Sequence, residues 1–141
     1  GEDVSRKLLI LAREIGLNLE LEDVKTESLL PEKSDSFNSI NEFLEFFKTA
    51  DSHFSQLLNN ANQKNERLRY IGTLGNGKAE VKLQSISSSH PFYHLEGSEN
   101  IIAITTDRYI EKPLVIRGHG AGAEVTAGGV MADIMSILET K

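Results

Sequence analysis

The sequence contains no cysteine and no tryptophan among its 141 residues. Without cysteine the chain can form neither a disulfide framework nor a thiolate zinc site, and this composition predicts a protein of a reducing, cytoplasmic compartment. Apolar residues never run for the twenty or so positions that a membrane-spanning helix needs. Lys and Arg number 15 against 21 Asp and Glu, which gives a net charge of -6. An acidic chain is attracted neither to nucleic acid nor to an anionic membrane, so neither is expected as a partner.

The residues that are present are ordinary for a globular domain, with 39% hydrophobic and 26% charged side chains. A chain of this length can bury a real hydrophobic core, and the length predicts a single domain over residues 1–141. The sequence starts at Gly1 without an initiator methionine, and charged residues lead at once into a helical pattern. We therefore expect the chain to be a fragment of a longer protein.

Helical periodicity is clear in four places. Apolar residues at positions 4, 8, 11 and 15 predict a helix over residues 3–16 that buries this stripe and ends at Gly16. Ser39 and Glu42 have the spacing of a capping box at the start of a second helix, and a third helix follows Asp51. The last helix is expected to bury one apolar side, made of Val130, Met131, Ile134, Ile137 and Leu138.

Strand patterns lie between these helices. Residues 68–73 and 79–86 flank Gly75-Asn76-Gly77 and predict an antiparallel hairpin. A short strand over 17–21, a loop over 24–35, a central strand over 101–106 and a buried strand over 114–116 are also predicted. The order of elements predicts an α+β fold with a mainly antiparallel or mixed sheet and helices packed on one face.

Asp3 and Lys7 form an i, i+4 pair at the margin of the apolar stripe of the first helix, where we expect them to be half sheltered. Two interpretations are open. The pair can be a surface ion pair worth a few tenths of a kcal/mol. Alternatively, a lysine with a carboxylate beside it can carry a proton to or from a substrate oxygen.

Gly118, Gly120 and Gly122 separate a strand from the last helix. Such a turn can bring backbone N–H groups and the positive end of a helix dipole close to a phosphate. The spacing is not G-x-G-x-x-G, however, so a full dinucleotide site is not predicted. The alternative interpretation is a tight turn and close helix packing, above all at Gly128-Gly129.

The four histidines do not predict a metal site. His90 and His94 are four residues apart, but Pro91 interrupts the helix that would align their rings. The spacing that zinc sites use is therefore absent.

Three segments closely resemble the C-terminal part of homoserine dehydrogenases, and among these the bifunctional aspartokinase/homoserine dehydrogenases most of all. They are residues 3–14, which begin D-V-S-R-K, residues 95–100, L-E-G-S-E-N, and residues 113–134, which contain G-H-G-A-G. The resemblance extends in order over essentially the whole chain. It implies an enzyme that interconverts aspartate semialdehyde and homoserine with NADP or NAD in the biosynthesis of threonine, methionine and isoleucine.

The resemblance also implies roles for individual residues. Lys7 would transfer the proton and Asp3 would lie beside it at the substrate, while Gly122, with Gly120, Ala121 and Thr126 near it, would contact the nucleotide. The chain would be the substrate-binding and dimerisation domain, forming a homodimer through its sheet. The nucleotide-binding domain and an acidic substrate loop of the family would lie upstream, so the fragment alone is expected to be inactive. The rival hypothesis is a non-enzymatic α+β module that binds a ligand or self-associates.

Overall fold

A computed structural model describes residues 1–30 and 37–139 of the chain, which divides into two units, Gly1–Ser87 and Ser88–Lys141. The described residues of the first unit form three α-helices and three strands: α1 (Glu2–Glu14), β1 (Val24–Thr26), α2 (Ile40–Thr49), α3 (Asp51–Gln63), β2 (Arg67–Gly75) and β3 (Lys78–Ile86). The second contains β4 (Glu99–Ile104), β5 (Leu114–His119) and α4 (Ala123–Glu139). Whether the two units act as the single predicted domain stays a prediction.

The sheet of the first unit is mixed, with strand order β1-β3-β2. Strands β2 and β3 form the predicted antiparallel hairpin, and β1 pairs with β3 in parallel. Asn76 and Gly77 connect the hairpin with φ angles of 52° and 70°, as expected of a turn that matches the twist of the strands. The α+β prediction with a mixed sheet is thereby confirmed.

The hydrophobic core of the first unit lies between α1 and this sheet. Its buried members are Leu8, Val24, Ala79 and Val81, and Val81 is fully enclosed. Gly72 on β2 lets the helix approach, since a Cβ there would lie 3.2 Å from Val4 Cγ1. Close contact between α1 and the sheet therefore depends on the absence of a side chain at Gly72.

Helix α1 ends as its sequence predicts. Gly16 has a φ of 81°, its N–H donates to Arg13 O at 3.0 Å, and the N–H of Leu17 donates to Ala12 O at 2.9 Å. These two bonds form a Schellman motif, which requires a residue with positive φ. At the start of α2, the Ser39 side chain accepts from the Glu42 N–H at 3.2 Å, while the Glu42 carboxylate accepts from the Asn38 N–H.

Several local predictions were wrong. Residues 17–21 are not a strand, and β1 instead forms within the segment predicted as loop, where it adds to the edge of β3. Residues 31–36 of that segment lie outside the described part. Leu11 and Ile15 of α1 are exposed, because the helix turns Ser5, Leu8 and Ala12 toward the sheet.

The second unit differs most from expectation. Strand β4 has a single described partner, β5, so it is not a central strand. The expected buried side of α4 and the aliphatic residues of β5 are exposed within the described chain: Val130, Met131, Ile134, Ile137, Leu138, Leu114, Val115 and Ile116. The burial predicted for these residues is therefore wrong within the described chain, where no residues cover them. None of the helices in the described ranges is long and apolar enough to cross a membrane.

Candidate functional site

The first turns of α1 bring Asp3 and Lys7 together, with 2.9 Å between Lys7 Nζ and Asp3 Oδ2. Their side chains are 82% and 62% exposed, so the prediction that they are half sheltered was wrong. The reason is the orientation of α1, whose buried face is centred on Ser5, Leu8 and Ala12. The ammonium group of Lys7 is thus accessible to a small molecule within this unit.

Ser5 fixes the part of α1 that carries this pair. It is 2% exposed, and its hydroxyl lies 3.0 Å from Gly1 O and 2.8 Å from Thr26 Oγ1. A buried hydroxyl is tolerated because it is hydrogen-bonded on both sides. These bonds tie the first turn of the helix to β1, and Lys7 follows Ser5 by half a turn.

A second ion pair of the same spacing lies beside the first. Arg6 Nη2 is 2.6 Å from Glu2 Oε1, and both side chains are also largely exposed. Geometry alone therefore does not distinguish Asp3–Lys7 from an ordinary helix-surface pair, each worth a few tenths of a kcal/mol. Its catalytic role stays a prediction, and Arg6 offers a matched comparison.

The glycine turn, residues 118–122, joins the end of β5 to the start of α4. Gly122 has a φ of 135°, a backbone conformation that side-chain-bearing residues rarely adopt. Its carbonyl accepts the first helical hydrogen bond, from the Thr126 N–H at 3.0 Å. Ala121 and Gly122 therefore precede a helix N-terminus, and Thr126 lies in the first turn of that helix.

The glycines of this region differ in the space around them. Within the described residues, no atom lies within 4 Å of a Cβ built at Gly118, Gly122, Gly128 or Gly129. At Gly120, in contrast, a Cβ would collide with the Asn100 amide, and Asn100 Cγ would be 2.6 Å away. A Cβ at Gly120 would displace the exposed Asn100 side chain, and within the described chain packing explains neither Gly128 nor Gly129. The space at Gly122 is compatible with the close approach of a ligand.

A charged network beside the glycine turn was missed by the sequence analysis. Arg117 Nε donates to Glu99 Oε2 at 3.0 Å, and Arg117 Nη2 donates both to the same oxygen and to His94 O. The hydrogen bonds from Arg117 hold the pKa of Glu99 below its usual range, and the carboxylate raises the pKa of Arg117. The sequence signal for this network was the L-E-G-S-E-N segment, which contains Glu99. The segment carries part of the family resemblance, but none of its residues was assigned a role.

Two of the histidine rings make polar contacts. His90 Nδ1 accepts from the Phe92 N–H at 3.1 Å, and His119 Nδ1 lies 3.4 Å from Ser98 Oγ. Over residues 1–30 and 37–139, no group of three or more His, Cys, Asp or Glu side chains could hold a metal ion.

Of the predicted site residues, the structure brings Asp3 next to Lys7 in the first unit. It places Gly120, Ala121, Gly122 and Thr126 in one turn and the adjoining first turn of α4, in the second unit.

Comparison with known proteins gives a consistent result. The sequence profile of the homoserine dehydrogenase family matches residues 1–135. A bifunctional aspartokinase/homoserine dehydrogenase 2, chloroplastic, of Zea mays is 48% identical over 139 residues, which are 97% of this chain and 15% of the relative. A homoserine dehydrogenase of Schizosaccharomyces pombe is 40% identical over 141 residues, which cover 98% of this chain and 38% of the relative.

Solved structures agree with this. A Candida auris protein of unknown function superposes with a TM-score of 0.88 at 40% identity, over 99% of this chain and 39% of that protein. A homoserine dehydrogenase from S. aureus, at 22% identity and a TM-score of 0.66, shares the fold over 98% of this chain and 31% of its own. The chain thus spans well under half the length of these relatives. With the profile matched over nearly its whole length, the chain belongs to the homoserine dehydrogenase family.

Proposed function

We propose that this chain is the substrate-binding and dimerisation part of an enzyme that interconverts L-aspartate 4-semialdehyde and L-homoserine. The single observation that carries the proposal is the family match over residues 1–135, which includes the D-V-S-R-K segment with its Asp3–Lys7 ion pair. As the chain covers 15% to 39% of its relatives, the activity is proposed for the complete protein. Whether that protein also carries an aspartokinase stays a prediction, as does its cytoplasmic location.

Lys7 is the proposed proton donor. When the aldehyde carbon is reduced, negative charge develops on the aldehyde oxygen, and an ammonium group held near that oxygen stabilises the charge and supplies the proton. Asp3, 2.9 Å from Lys7 Nζ, would orient the ammonium. In the reverse direction, the neutral amine of Lys7 would take the proton from the hydroxyl of homoserine.

The glycine turn is the proposed contact for the nucleotide. A bound NADPH or NADH would supply the hydride for the reduction and leave as NADP or NAD. The open space at Gly122 and the helix N-terminus that follows it fit the close approach of an anionic or polar group. In this proposal Gly120, Ala121 and Gly122 provide backbone and Thr126 its hydroxyl.

The test of this function is an assay of the complete protein that contains this chain. We expect it to oxidise NADPH or NADH in the presence of aspartate semialdehyde and to produce homoserine, measured by absorbance at the nicotinamide band and by chromatography. The isolated 141-residue chain is expected to show no turnover in the same assay. A complete protein without this activity would favour the non-enzymatic module, and robust turnover by the isolated chain would contradict the proposed division of the site.

A homodimer through the sheet of β4 and β5 is also proposed. Ile102 pairs with Ile116 and Ile104 with Leu114, which places these four exposed aliphatic side chains on one face. A two-stranded sheet is marginal on its own, and contiguous exposed apolar surface is typical of an interface.

The dimer predicts a specific loss of association. The variant is Ile116→Lys, at a residue that is 54% exposed in the single chain. In the proposed dimer the new ammonium would be buried in an apolar interface without a partner, which disfavours association. Sedimentation velocity should then show a monomer where the unmodified chain is a dimer. Ile10→Lys introduces the same charge at a 62% exposed isoleucine of α1 and should leave the dimer intact. A dimer that survives Ile116→Lys would place the interface elsewhere.

A further inference from the structure

The L-E-G-S-E-N segment makes contact with the end of β5 and the glycine turn through three consecutive side chains. Ser98 Oγ lies 3.4 Å from His119 Nδ1, and Glu99 bonds with Arg117. The Asn100 side chain lies against Gly120, where a Cβ would collide with it. One short stretch of chain therefore contacts three of the four residues from Arg117 to Gly120.

Glu99 organises this stretch. Its Oε2 accepts from Arg117 Nε and Nη2 and also from the Glu96 N–H at 3.4 Å, while the Glu99 N–H donates to Glu96 O at 3.3 Å. Arg117 Nη2 reaches further, to His94 O at 3.0 Å. We call Glu99 and Arg117 the clamp, since together they hold residues 94–100 against β5.

The clamp is adjacent to the residues proposed to contact the nucleotide. Arg117 immediately precedes Gly118, and the turn then runs without another described side-chain anchor from Gly120 to Gly122. From the 94–100 side, the turn is contacted by the Ser98 hydroxyl at His119 and by the Asn100 side chain at Gly120. The β4–β5 ladder pairs Glu99 with His119 and Asn100 with Gly118, and the Glu99–Arg117 pair adds a side-chain link at the same end of the two strands.

We propose that the Glu99–Arg117 clamp is a positioning device for the nucleotide: it fixes Ser98 and Asn100 against His119 and Gly120 and thereby sets where Ala121 and Gly122 present their backbone. The inference rests on the proposed function of the glycine turn. Glu99 and Arg117 are positioning residues, because neither is proposed to touch the nucleotide, the substrate or the reacting atoms.

Glu99→Gln in the complete enzyme tests the clamp. Glutamine keeps the shape of the side chain but removes the charge that strengthens the bonds from Arg117. Because both partners of the clamp are partly exposed, the expected effect is moderate: an about three- to tenfold higher Kd for NADPH by fluorescence titration without substrate. The KM for the nucleotide should rise in parallel, while kcat at saturating nucleotide and the KM for aspartate semialdehyde stay at the wild-type values.

Two further measurements separate positioning from general stability. In the absence of nucleotide, amide hydrogen exchange of residues 118–123 should be faster in Glu99→Gln than in the wild type, with exchange in β2 and β3 unchanged. The matched control is Glu80→Gln on β3. The carboxylate of Glu80 is also in an ion pair, with Lys82, and the hydrogen bond from Lys82 lowers its pKa. This control should leave nucleotide affinity unchanged.

A double-mutant cycle with Arg117→Gln completes the test. If the two residues act as one clamp, the Kd of the double variant for NADPH should be no higher than the higher of the two single-variant values. Fully additive losses, or a Glu99→Gln enzyme that binds NADPH like the wild type with unchanged exchange at 118–123, would overturn the clamp while leaving the proposed function intact. A wild-type enzyme that binds no nicotinamide nucleotide would overturn the proposed function, and the clamp with it.

Discussion

Lys7→Ala in the complete enzyme should lower kcat by about a hundred- to ten-thousandfold, the range typical of a lost general acid. The ammonium group lies 2.9 Å from Asp3 and is open to solvent, so its removal leaves no space in the core and no buried group unpaired. Folding should therefore be unaffected, and the Kd for NADPH should stay near the wild-type value. Steady-state kinetics with aspartate semialdehyde and a fluorescence titration of NADPH measure the two effects separately.

The control for this variant is on the same helix. Arg6→Ala removes the Glu2–Arg6 pair, which has the same spacing, a 2.6 Å distance and a similar exposure. If the role of Lys7 were only to make a helix-surface ion pair, both variants would lose the same few tenths of a kcal/mol of stability and neither would lose turnover. Equal turnover in the two variants would therefore refute the proton-transfer role.

Gly122→Ala should weaken NADPH binding about tenfold or more, since forcing a non-glycine residue into such a backbone conformation costs about 1–3 kcal/mol and 1.4 kcal/mol corresponds to a factor of ten. Gly122 has a φ of 135°, and the turn can relieve the strain only by moving the backbone that precedes α4. Fluorescence titration of the complete enzyme measures the affinity, and the turnover at saturating nucleotide should fall less than the affinity.

Gly128→Ala is the matched control for this change. Gly128 lies within α4, has no positive φ, and has no described atom within 4 Å of an added Cβ. Alanine there favours the helix by about 1 kcal/mol, so the control should raise helicity without weakening nucleotide binding. Unchanged affinity in Gly122→Ala would remove this glycine from the nucleotide contact.

Local signals predicted the elements that depend on neighbouring residues. The end of α1 at Gly16, the cap at Ser39 and the hairpin turn at Asn76-Gly77 each need a specific backbone conformation or hydrogen bond within a few positions. Their residues can be recognised in sequence because the interaction partner is close in sequence. The same is true of Asp3 and Lys7, whose pairing follows from helical spacing alone.

Features that depend on distant residues were not predictable in this way. Strand β1 exists because β3 offers it a parallel partner, and three residues are too few to show a pattern. The buried hydroxyl of Ser5 bonds with Thr26, a residue that is distant in sequence. Hydropathy does not show this contact, so the predicted buried face of α1 included Leu11 and Ile15, which are exposed. The clamp joins residues 18 positions apart, and charge pattern does not indicate such a pair.

The clamp also bears on how β4 and β5 find their alignment. In the observed register Ile101 pairs with Arg117 and Glu99 with His119, so the clamp lies on one face, and Ile102 with Ile116 lies on the other. A slip of one residue would turn every side chain of one strand to the opposite face. It would set the carboxylate of Glu99 among the aliphatic side chains and separate it from its guanidinium. The Glu99–Arg117 pair on one face and the pairing of Ile102 with Ile116 on the other thus favour the same register. The glycine turn, which follows β5, is thereby held in one position relative to β4.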